Sequence, residues 1–131
     1  MSGEIVQSFK VASTLSAYRI VGGYSGSADT VGYPESAQAP VIGVTLNDVK
    51  NTTEAIPVAV GGSIAKVYFN DSCTAWGFVA SDTSGRGIQL TLAVTSTGAT
   101  LAKAYVGLLC GPAVQTTGTL ADVLVMPGMS R

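Results

Sequence analysis

The sequence predicts an all-β fold, a small barrel or sandwich of short antiparallel strands with an extended N-terminal arm. Three observations carry this expectation. Short β-branched runs recur between Gly, Asn, Thr and Pro punctuation, as in APVIGVTLNDVKNTTEAIPVAVGGSIAKVYFN (Ala39 to Asn70). Within that stretch Ser63 to Phe69 alternates Ile64, Lys66 and Tyr68 against Ala65, Val67 and Phe69, the period of a strand with one dry face. Nowhere does a capped apolar stripe keep a 3.6-residue period, so no helix is expected.

Taken in order, Met1 to Ala12 alternates loosely, with Ile5, Phe9 and Val11 against Glu4, Ser8 and Lys10. This suits an extended arm or an edge strand; the arm is the preferred reading, with residues 1–16 set apart from one β domain of residues 17–131. Tyr18 to Val21 is a short β-prone run ending at Gly22-Gly23, and Tyr24 to Gln38, rich in Ser, Gly, Ala and Asp, reads as a long surface loop. Val41 to Leu46 and Ile56 to Val60 are strands joined through NDVKNTTE, whose Asn, Asp and Thr side chains can satisfy a turn locally. Gly61-Gly62 permits a positive-φ turn into the strand Ser63 to Phe69. Ala75 to Ala80 carries the sole tryptophan, and DTSGRG is a turn before the strand Ile88 to Thr95. Leu101 to Leu109 and Asp122 to Met126 complete the strands, the last ending at Pro127-Gly128.

Composition narrows the function. At 131 residues the chain fits one domain able to bury roughly two thirds of its unfolded surface. Charged residues are 11% and the net charge is −1, so no electrostatic footprint for nucleic acid or an anionic membrane exists. Hydrophobic residues reach 47% and mean hydropathy is +0.40, which leaves a lone monomer with an unusually apolar surface and predicts assembly with other subunits. No apolar run approaches the ~20 residues of a membrane span, and MSGEIVQSFK lacks a signal-peptide apolar region, so synthesis in the cytoplasm is expected. Cys73 and Cys110 are then expected as buried free thiols.

Chemistry is excluded more than it is found. Without histidine, Ser-His and Cys-His nucleophile pairs and His-ligated zinc cannot be built, and two cysteines cannot form a four-thiolate site. No cofactor and no catalytic or metal-binding residue is expected. Asp48 and Glu54 could pair for glycosidase-type work, but both sit in a turn without aromatic subsites. Gly61-Gly62-Ser63 lacks the lysine and helix of a phosphate loop, so a hairpin turn is the simpler reading. Trp76 and Phe78, on one side of a strand, read as core residues rather than a stacking platform.

An N-terminal arm, YRIVGG, a Gly/Ser/Ala loop, the Ala39 to Asn70 stretch and a closing DVLVMPG together resemble the small head-decoration, or capsid cement, proteins of tailed bacteriophages. The likeness spans residues 17 to 127 and is carried by Val41, Gly43, Val44, Asp48, Pro57, Val58, Val60, Gly62, Ala65 and Val67. It implies a β-tulip-like fold, a homo-oligomer (a trimer) and attachment to the major capsid protein on the outside of the expanded lattice of the virion, with a structural and not an enzymatic role. On this reading Glu4, Ile5, Val6, Phe9 and Val11 of the arm would contact the capsid or a neighbouring copy by strand addition, and Ile64, Tyr68 and Trp76 would form the subunit contact. Another phage structural part, such as a tail-tube or head–tail joining subunit, and a glycan-binding surface module are the alternatives.

Overall fold

The computed structural model describes residues 5–24, 29–34, 40–90, 103–114 and 118–130, which form ten strands and no helix. Strands β1 (Val6–Val11), β2 (Ile20–Gly23), β3 (Thr30–Gly32), β4 (Gly43–Thr45) and β5 (Ala55–Ala59) close into a barrel in the order β1-β3-β2-β4-β5. Strands β6 (Ile64–Tyr68), β7 (Phe78–Ser81), β8 (Gly87–Gln89), β9 (Lys103–Leu109) and β10 (Leu120–Ser130) form a second sheet, ordered β6-β10-β9-β7-β8. The all-β barrel-and-sheet expectation holds.

Strand parity decides what each layer buries. Successive side chains of a strand point to opposite faces. In β2, Val21 joins the barrel interior with Val11, Val31, Ile56 and Val58, while its neighbour Ile20 faces the other way. Ile20, Val44 and Ala59 on the barrel's outer wall share a second core with Ala65, Val67, Phe69, Val79, Leu109 and Val123 of the sheet. The barrel wall is thus dry on both sides, which explains why β2, β4 and β5 carry apolar runs without polar alternation. In β6 the expected dry face is present: Ala65, Val67 and Phe69 are buried and Ile64 and Lys66 are exposed.

Two backbone devices hold the layers in register. Gly62 takes φ +93° at the turn into β6, the left-handed geometry its sequence permits, and its N–H donates to the Val125 carbonyl at 2.7 Å. The turn between β7 and β8 is tied by Asp82, whose Oδ1 accepts the N–H groups of Ser84 and Arg86 at 2.9 Å each and whose Oδ2 accepts Arg86 Nε at 2.9 Å. This turn then grips the barrel: Ile20 N–H donates to Gly85 O at 2.6 Å and Arg19 Nη1 donates to Ser84 O at 3.2 Å.

Four expectations are corrected. The N-terminal stretch is extended, but Val6–Val11 is not an arm: it pairs antiparallel with β5 from Val6↔Ala59 to Lys10↔Ala55 and parallel with β3 at Lys10↔Thr30 and Val11↔Val31. The presumed loop from Tyr24 to Gln38 contains β3, a three-residue strand too short to show a period. Strand β10 does not stop at Pro127-Gly128; it passes through them on a register shift between Val125 and Gly128, where a proline's missing N–H costs no ladder bond. Trp76 and Phe78 are not core residues, being 64% and 44% exposed. Residues 91–95 and 101–102, the ends of two expected strands, lie outside the described residues.

Because β1 closes the barrel, removing residues 1–11 is expected to abolish most of the roughly 5–15 kcal/mol stability of a domain this size. A thermal unfolding transition unchanged in cooperativity and midpoint would contradict this. Cys73 and Cys110 are both free, and burial pushes the Cys73 thiol up from 9.0 to about 11. The folded thiol keeps its proton where the unfolded one has lost it, so this contribution is complete below 9.0 and is lost as pH rises through about 11. Urea midpoints should fall across that window by more in the wild type than in Cys73→Val; equal falls would remove Cys73 from the account.

Candidate docking surface

The feature of the described residues that calls for a function is a surface. In β9 and β10, consecutive residues are apolar: Leu108 beside Leu109, and Leu124 beside Val123 and Val125. Leu109, Val123 and Val125 are wholly buried in the core, so Leu108 and Leu124 must lie on the other side of the sheet, and both are half-buried.

The pairing registers place that second face in order. Ile64 of β6 stands opposite Leu124 of β10, Leu124 opposite Leu108 of β9, and Leu108 opposite Phe78 of β7. Residues directly opposite share a face, so these four form one apolar row across four strands. Leu90, whose N–H donates to Phe78 O at 2.9 Å, extends the row to the β8 side. At about 4.8 Å per strand the row is roughly 19 Å long. Phe78 packs its ring against Tyr105 with centroids 4.7 Å apart, and Met126 is 42% exposed.

The neighbouring row along the same face is polar. Lys66 opposes Asp122, and Lys66 Nζ lies 3.1 Å from Asp122 Oδ1 with both side chains about half in solvent. Such an exposed pair adds about 0–1 kcal/mol, and its main effect is to leave the face without net charge. Cys110 N–H donates to Asp122 O at 3.1 Å, and its thiol is raised by partial burial and, secondarily, by the Asp122 charge.

Of the residues expected at the subunit contact, Ile64 anchors the apolar row. Trp76 lies two residues before Phe78 in a left-handed turn at φ 61°, its N–H donating to Leu109 O at 2.8 Å. Tyr68 is half-buried at the margin, with the Arg19 guanidinium 4.8 Å above its ring centroid. The expected arm residues divide. Phe9, partly buried, packs against the barrel core and Val11 is buried within it. Ile5 and Val6 are 54% and 47% exposed, and Glu4 lies outside the described residues. Ile5 is clamped by Ser63, whose Oγ accepts the Ile5 N–H and donates to the Ile5 carbonyl at 3.1 Å. Its methyl would lie 3.1 Å from a Cβ built at Gly62, two residues before Ile64, so Ile5 borders the sheet's end of the row.

Leu108, Leu124 and Met126 were missed by sequence reasoning. The signal available was their adjacency to core residues within strands, since a sheet with one wet face should alternate.

The other polar groups serve the fold. Asp48 Oδ1 accepts Ala17 N–H at 2.7 Å and Asn51 Oδ1 accepts Thr53 N–H at 3.0 Å, so the Asp48 and Glu54 turn is held by local hydrogen bonds. Among the described residues no group of three or more His, Cys, Asp or Glu side chains could hold a metal ion.

No protein-family model matches the chain, and no curated protein sequence matches it. A solved structure does: the N base of the head fiber gp8.5 of bacteriophage phi29, with a TM-score of 0.65 over 93% of this chain and 93% of that one, at 12% identity. The likeness is one of fold and runs nearly end to end.

Proposed function

We propose that this chain is a structural subunit of a tailed-phage head, a decoration or cement protein that attaches to the outer surface of the expanded major-capsid lattice and works as a homo-oligomer. The observation that carries the reading is the fold shared over 93% of both chains with the base of a phage head fiber. A chain without histidine, and without a metal-binding cluster among the described residues, supports a role that is structural and not enzymatic.

The physical task is a linkage. A protein that binds the expanded lattice and not its precursor stabilises the expanded state by mass action, in proportion to the logarithm of its concentration over the dissociation constant. Many copies each contributing a modest contact suffice. The capsid contact on this reading uses the exposed start of the N-terminal stretch, Ile5 and Val6, since Phe9 and Val11 are committed to the barrel.

Co-sedimentation with isolated phage heads lacking the protein, in unexpanded and expanded forms, tests this. Saturable binding to expanded heads alone is expected. Val6→Glu, on a side chain 47% exposed, should weaken that binding about tenfold or more without lowering the unfolding midpoint. Binding to neither form, with co-sedimentation on tail tubes or joining complexes, would overturn the capsid reading.

A further inference from the structure

We propose that the apolar outer face of the five-stranded sheet is closed by a second copy of this chain, packed face to face. This rests on the homo-oligomer in the reading above and gives it a two-fold seam, since one face packed on its own copy closes a pair and not the ring of three that the sequence resemblance implies. The row Ile64, Leu124, Leu108, Phe78 and Leu90 crosses all five strands, one residue from each of β6, β10, β9 and β7 and the last just beyond β8. Ile64, Trp76, Phe78, Leu120 and Met126 on or beside these strands are each between 42% and 64% exposed. Together they offer on the order of 500 Å² of apolar side chain, near the upper end for a monomer's largest patch and in scale with the apolar centre of a standard interface.

Charge selects the occupant. The charged side chains beside the row are Lys66 and Asp122, which neutralise each other at 3.1 Å, and the Arg19 guanidinium is drawn off to the margin over the Tyr68 ring. A basic or acidic partner would find no field to read. A second copy brings the same neutral row, and with a net charge of −1 two copies repel each other negligibly. Face-to-face packing at about 10 Å then lets two identical rows interdigitate, as between the sheets of a sandwich.

Sedimentation velocity of the purified wild type over about 1–100 μM should show an assembly that dissociates on dilution, with a blue shift of Trp76 emission on association. Phe78→Lys and Ile64→Lys should each weaken it at least about tenfold and abolish the shift, while circular dichroism and the thermal midpoint stay unchanged because both side chains are about half exposed. Thr83→Lys, in the exposed β7–β8 turn, should leave assembly intact. A wild type that stays monomeric throughout, or folded row variants that assemble as the wild type does, would overturn the proposal. Head binding by a monomer would overturn this seam and keep the capsid reading; assembly without head binding would do the reverse.

Discussion

The structure depends on the pairing of β1 with β5. Five successive partners, from Val6↔Ala59 to Lys10↔Ala55, bring the start of the described chain onto a strand some fifty residues later and close the barrel. Closure removes two sheet edges at once and encloses Val11, Val21, Val31, Ile56 and Val58 in a dry interior. It also sets the orientation of Val44 and Ala59, whose opposite wall becomes half of the second core. Without β1 the wall would have a wet edge at β5 and the sheet would lose its support.

The second sheet inherits a different problem. Its inner face is filled by Val67, Phe69, Leu109, Val123 and Val125 against the barrel, yet its outer face is apolar as well. An antiparallel sheet with one face in water ordinarily places polar residues there. The row from Ile64 to Phe78 departs from that pattern, and the Lys66–Asp122 pair interrupts the apolar surface beside it. Rigidity adds to its use as a docking surface: strands of a packed sheet present side chains with less loss of entropy on binding than loops do.

The strand inventory was largely legible because it is local. Alternation in Ser63 to Phe69, β-branched runs at Val41 to Leu46 and Ile56 to Val60, and the glycine at position 62 each follow from the chain's own stereochemistry. What was not legible depends on distant partners. Three residues, Thr30–Gly32, carry no period, and they become a strand because β1 and β2 flank them. Pro127 reads as a terminator until the register shift on β10 removes the ladder bond it would break. Trp76 and Phe78 read as core because large aromatic side chains mostly are, whereas parity relative to Val79 puts Phe78 outside and Trp76 stands exposed on the left-handed turn before the strand. The candidate surface was half visible: Ile64 and Trp76 were named, while Leu108 and Leu124 lie in unbroken apolar runs that do not show which parity faces the core.

Fold, surface and composition all bear on the proposed role of holding to other subunits. The barrel gives a rigid body, the sheet gives an apolar face, and the fold is shared with the base of a phage head fiber. Cryo-electron microscopy of expanded heads saturated with the protein would test this most directly. Density for the barrel and sheet on the outer capsid surface, with the row through Ile64 and Phe78 buried between neighbouring copies, is the expected result. Density confined to the portal or tail, or heads that carry none, would contradict it.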